Sequence, residues 1–224
     1  MASGAARMPT GESPVKRGGR RTPQGFLFEL TGGAACLDLV NTLDERPLAT
    51  RRDNLESYAD LVDWAEQSRL LSPGEARALR RAAARRPAAA QRALQQMQSL
   101  REVLFALFSA LARGRPAPAG PLHSLNRSLA RAFAHLELVP GRPRFGSSFA
   151  CEPGDLERLH FPVMQSAYEL LTSAADLERL RVCAADACDW LFLDRSRNRS
   201  RRWCDMSVCG NRDKVKRFYH RRRE

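Results

Sequence analysis

Cys183, Cys188, Cys204 and Cys209 fall within 27 residues. Four residues separate the members of each pair, and fifteen divide the pairs. Two short loops that each offer two thiolates can close a tetrahedral shell around one zinc ion. Disulfides and an iron–sulfur cluster are the alternatives. The chain has no apolar amino-terminal run of signal-peptide type, and its longest apolar stretch, Val103–Ala112, is far short of the ~20 residues that cross a bilayer. A cytoplasmic setting without a membrane partner is expected, and there thiols stay reduced and clustered cysteines mean metal or redox chemistry rather than staples. Four protein ligands leave no place for water or substrate, so the zinc is expected to be structural. Cys36 and Cys151 read as buried thiols, and His220, eleven residues past Cys209, is an alternative ligand.

The charge around these cysteines suggests a second chemistry. The 224-residue chain carries a net +12, placed mostly at its ends. Residues 181–224 hold thirteen Lys and Arg against six acids, residues 1–24 hold five against one, and the stretch between is nearly neutral. Arg195, Arg197, Arg199, Arg201 and Arg202 follow the first cysteine pair, and Arg212, Lys214, Lys216, Arg217 and Arg221 follow the second. Basic runs with few interspersed acids repel themselves, and a phosphate backbone relieves that repulsion. DNA is the expected partner. Arg195, Arg197, Arg199 and Arg202 would mainly grip phosphates, and Arg212, Lys216 and Arg217 would lie near bases in the major groove. RNA is the alternative partner, with exposed aromatics as its requirement. A protein-interaction finger is another alternative.

These residues need elements to hold them. Trp190–Leu193 reads as a strand, Arg195–Ser200 as a basic turn and Arg201–Trp203 as the returning strand. Asn211 would cap a helix over Arg212–Arg223, with Val215, Phe218 and Tyr219 packing on Trp190 or Phe192. The result is a treble-clef-like zinc module over residues 179–224, too short to fold on a hydrophobic core alone. Residues 1–24 read as a disordered basic tail.

Residues 25–178 read as a helical domain with a β-hairpin, making the fold class mainly α with a small β component. Phe26–Leu30 alternates as a strand, and Ala35–Asp44 has a helical apolar face. Ser57 with Asp60, and Ser72-Pro73 with Glu75, mark two helix starts, the second helix ending before Pro87. Leu94, Met97, Leu100, Leu104, Leu107, Phe108 and Leu111 define a long helix between about Ala88 and Arg113. A helix through Leu122, Leu125, Leu129 and Phe133 follows. A hairpin turns at Pro140–Pro143, and a last helix spans Pro162–Ser173. No nucleophile–base pair, phosphate-binding glycine loop or histidine pair at metal spacing is visible, so the chain is read as a non-enzyme; an enzyme domain with a zinc-stabilised tail is the remaining alternative. Asp38, Asn41, Asp44 and Arg46 gather polar groups near the end of the first helix. They would line a pocket for a small-molecule effector or simply end that helix in solvent.

The finger residues also carry a family likeness. Trp190–Asn198, Arg201–Met206 and Cys209-Gly210-Asn211-Arg212 resemble the CGNR zinc-finger family of bacterial proteins, whose tetrapeptide stands at Cys209–Arg212. Leu37-Asp38-Leu39-Val40-Asn41-Thr42, followed by Leu55, Tyr58, Leu61 and Trp64, resembles the ABATE domain that precedes this finger. The resemblance matches the four cysteines to the zinc positions. It implies a stress-responsive transcription regulator. The helical domain is expected, apart from that resemblance, to sense a small molecule or form a homodimer.

Overall fold

The described chain is residues 18–221 of a computed structural model, apart from the side chains of Arg217 and residues 219–221, and it begins with a ribbon. β1 (Gly19–Thr22) pairs antiparallel with β2 (Gly25–Phe28). Gly25 stands at φ 137° at the turn, where a side chain would strain the backbone. The part of the expected tail that is described, residues 18–24, is therefore ordered. Its Gly, Pro and Arg composition hid a strand that Arg21 ties to Asp60 at 2.8 Å and Glu56 at 3.1 Å. Residues 1–17 lie outside the described residues.

α1 (Ala35–Val40) is shorter than its apolar pattern predicts, because polar side chains compete for its carboxyl-terminal backbone. The Thr42 hydroxyl donates to the Leu39 carbonyl, and the Thr42 carbonyl accepts from the Asn54 amide. β3 (Leu43–Asp44) then pairs with β4 (Arg52–Asp53). α2 (Tyr58–Gln67) and α3 (Pro73–Arg85) start where their serines predict. Both have full capping boxes, Ser57 with Asp60 and Ser72 with Glu75, each contributing on the order of 1 kcal/mol.

α4 (Pro87–Ala112) is the spine of the body. Its leucine stripe is buried against α1, α2, α3 and α5 (Ala119–Phe133). β5 (Leu136–Val139) and β6 (Gly146–Phe149) form the expected hairpin. α6 (His160–Thr172) returns to pack on α1 and α5, and α7 (Ala174–Leu177) is a single turn. The body is mainly α with small antiparallel ribbons, as expected. No described helix is long and apolar enough to cross a membrane.

The last ribbon joins two cores. β7 (Leu180–Val182) pairs with β8 (Leu191–Leu193) in the register Leu180↔Leu193, Arg181↔Phe192 and Val182↔Leu191. Side chains on a strand alternate between faces. Leu180, Leu191 and Leu193 enter the body core beside α1 and α4, while Trp190 and Phe192 join the four cysteines in a second core. β8 is buried on both faces, which is why it reads as an unbroken apolar run. The partner of β8 thus precedes the first cysteine. The expected return strand at Arg201–Trp203 does not form, because the Asp194 carboxylate takes the amide of Arg201 at 2.8 Å and the amide and hydroxyl of Ser196. α8 (Asn211–Arg221) closes the described chain.

Candidate metal centre and basic surface

Cys183 and Cys188 lie on the loop at the turn of the β7–β8 ribbon. Within it, the Cys183 amide donates to the Trp190 carbonyl and the Cys188 amide to that of Ala185. Cys204 and Cys209 approach from a wide turn at Met206–Gly210. Asp205 caps this turn, accepting from the Val208 amide at 2.9 Å. The helix start is therefore set by Asp205 rather than by the expected Asn211, whose side-chain amide instead donates to the Ser207 carbonyl.

The four sulfur atoms lie within 4.8 Å of one another and all four residues are buried. Cys188 and Cys204 sulfurs are 3.7 Å apart, and those of Cys204 and Cys209 are 3.6 Å apart. A tetrahedron with zinc–sulfur bonds of about 2.3 Å has edges of about 3.8 Å, so this donor set fits one zinc ion. The Trp190 amide points at Cys188 Sγ from 3.4 Å, the outer-shell bond expected of a held thiolate. Buried thiols this close compete for protons. Hydrogen bonds, first from Cys188, draw Cys183 toward thiolate, burial pushes Cys188 up, and the neighbouring sulfurs push Cys204 up. A divalent cation resolves that conflict by making all four thiolates. All four ligands come from the protein, so the zinc is structural.

A family model described as "Putative stress-induced transcription regulator", ABATE, matches residues 33–191. The chain belongs to the ABATE family. The CGNR zinc finger matches residues 179–222. No curated protein matches the chain. The ABATE and CGNR matches overlap over residues 179–191, which hold β7, the loop of Cys183 and Cys188, and the first residue of β8.

Asn41 in ABATE's opening motif faces that ribbon. Its side chain, buried to 2% exposure, accepts from the Leu191 amide and donates to the Leu191 carbonyl, both at 2.9 Å. It pairs with the edge of β8 as another strand would. Asp38 accepts from the Gly32 amide at 2.8 Å, and the Gly32 carbonyl accepts from the Leu193 amide. Burial pushes the Asp38 carboxyl up to about 7 against the opposing effect of the Gly32 bond. A Cβ on Gly32 would lie 2.8 Å from that of Leu37, so the close approach requires glycine. Asp44 is buried and accepts from the Glu45 amide and Arg52. Arg46 pairs with Glu102 at 2.6 Å and lies over the Phe105 ring. The four residues expected to line a pocket or face solvent are instead spent on internal bonds, two of them fastening the body to the zinc ribbon.

The expected basic contacts divide similarly. Arg201 is structural: it donates to the carbonyls of Trp203 and Cys204 and its guanidinium lies over Phe192. Arg197, Arg202 and Lys214 are exposed and make no ion pair among the described residues. Arg195 approaches Asp176 at 3.8 Å, Arg199 meets Glu178 at 3.0 Å, Arg212 approaches Glu45 at 3.9 Å, and Lys216 pairs with Asp186. These pairs are substantially exposed. The side chains of Arg217 and Arg221 lie outside the described residues, as does that of Tyr219. Val215 and Phe218, expected to pack on the ribbon, are 55% and 52% exposed, and it is Arg201 that lies over Phe192. Asp194 and Asp205, which neither cysteine spacing nor basic charge singles out, shape the turns that hold this surface. An Asp two or three residues before Ser or an apolar run signals such side-chain turns.

Proposed function

We propose that the chain is a bacterial DNA-binding transcription regulator and not an enzyme. The zinc ion holds the segment from Arg201 to α8 as a basic docking surface, and the helical body receives a small-molecule signal. One observation carries the reading: Arg197, Arg202 and Lys214 are exposed cations without acidic partners among the described residues. Arg195, Arg199, Arg212 and Lys216 join them at little expense, since exposed ion pairs hold weakly and a phosphate can replace the carboxylate. Membership of a family described as a transcription regulator supports the same reading.

Fluorescence anisotropy with duplex DNA at several salt concentrations tests it. Engagement of about three to five phosphates gives a log–log salt slope of about −3 to −5. Replacing Arg197, Arg202 and Lys214 together by alanine should flatten the slope by about three. A flat wild-type response, or an unchanged slope in the triple variant, rejects the proposal. The half-exposed Phe218 ring favours a second reading, in which single-stranded RNA stacks there. Competition between duplex DNA and single-stranded RNA separates the two.

A further inference from the structure

Helices α4 and α5 meet through apolar residues along part of their length, but elsewhere face each other across a cleft of about 610 Å³. Arg92, Gln96 and Ser99 line it from α4, and Ser124, Arg127 and Arg131 from α5. On each helix these positions recur at three- and four-residue spacing, so each presents one polar stripe to the other. A seam between packed helices is ordinarily apolar. Here the groove is open to solvent: Arg92, Gln96, Ser99, Arg127 and Arg131 are exposed, Ser124 is half-buried, and Leu100 and Val103 complete the lining. A groove of this size between bundle helices, with convergent polar groups beside apolar ones, can seat a ligand.

The charge in the cleft is one-sided. No acidic residue lines it. Arg131 is partly offset by Glu157 at 3.4 Å. Arg92 and Arg127 have no ion-pair partner among the described residues. Arg127 and Arg131 stand four residues apart on one helix, where like charges repel. His160, which also lines the cleft, adds no charge near neutral pH, because burial first, and then Arg131, push it down to about 4. Its Nε2 lies 3.3 Å from the Ser128 carbonyl, which can only accept. Two uncompensated guanidiniums plus one half-compensated match a dianion better than a single carboxylate.

We propose that this cleft binds a phosphorylated small molecule, with the phosphate held by Arg92, Arg127 and Arg131 and the polar body by the glutamine and serine side chains. This deepens the regulator reading by naming its effector class, and rests on that reading for the consequence of binding but not for binding itself.

Isothermal titration of the zinc-loaded full chain, in the absence of DNA, tests it with three probes: ribose 5-phosphate, ribose and inorganic phosphate. Ribose 5-phosphate should bind one per chain, more tightly than inorganic phosphate, and ribose should not bind. Arg127→Gln should weaken the phosphate ester about tenfold or more, while Arg81→Gln, an exposed arginine on α3, should leave it unchanged. Thermal transitions without probe verify that both variants fold, and amide shifts of Ser99 and Ser124 place the ligand. Failure of the ester to bind, inorganic phosphate binding as tightly, or equal losses in the two variants would overturn the proposal. Since DNA is absent, such a failure leaves the DNA reading standing, and loss of duplex binding in finger variants leaves this site standing.

Discussion

Cys183 and Cys188 sit on a ribbon whose side chains are divided between two cores, whereas Cys204 and Cys209 sit on a segment whose buried residues belong to the small second core, with Trp203 against it, and which is otherwise tied by polar contacts and the metal site. The first half has Leu180, Leu191 and Leu193 in the body core and Asn41 bonded to its edge. The second half has Asp194 holding Arg201, the Ala184 amide donating to the Arg202 carbonyl, and exposed ion pairs at Arg212 and Lys216. Val215 and Phe218 on α8 are about half exposed. The contrast teaches that a zinc module need not be a separate bead on the chain. Here one half is continuous with the helical body, and the ion carries the other half to it.

The largest effect should come from breaking the metal shell on the weaker side. Cys204→Ser should reduce bound zinc from one per chain to none and remove the helical signal of α8, while the body's cooperative unfolding transition persists. Metal analysis and circular dichroism check both parts. The scale of the loss is set by structural zinc binding, about 10–16 kcal/mol at neutral pH.

Next is the clamp on the stronger side. Asn41→Ala leaves the Leu191 amide and carbonyl without their buried partner, at a cost of about 2–4 kcal/mol. Denaturant unfolding should show it, with zinc still bound. A loss below about 0.5 kcal/mol would mean that the ribbon is not fastened through Asn41.

What was legible in the sequence follows the same division. Cysteine spacing and serine caps are local signals, and the zinc shell and the starts of α2 and α3 came out as read. The partner of β8 depends on Asp194 capturing Arg201, and the task of Asn41 depends on an acceptor 150 residues away. No local pattern encodes those contacts. Arg201 looked like any other cation of its run, and only its placement over Phe192 marks it as structural. The polar stripes of α4 and α5 are readable singly as solvated faces, and only the packing turns them toward each other.

Asp38 offers a pH-dependent test of the junction. Its carboxyl is raised from the ordinary range to about 7 by burial. The unfolded chain therefore releases this proton first, so the group's contribution falls as pH rises from about 4 to about 7 and then levels off. Asp38→Asn keeps an oxygen for the Gly32 amide and never ionises. Its melting temperature relative to wild type should climb across that interval and be highest above pH 7. A constant difference would contradict the assignment.

The smallest effect lies on the exposed surface. Glu178→Gln frees Arg199 from its exposed partner. Duplex affinity should rise by less than about threefold, with stability unchanged, because exposed pairs contribute less than ~1 kcal/mol. Weaker DNA binding in this variant would argue that the pair orients Arg199 rather than competing for it.

Hydrogen exchange, compared between zinc-loaded and chelated full-length protein, tests the central claim most directly. Amides of residues 204–221 should lose their protection on chelation, while those of α4, α6 and β8 keep most of theirs. Unchanged protection across residues 204–221, or collapse of α4 together with α8, would contradict the division of the zinc module into a half built on the body and a half carried by the ion.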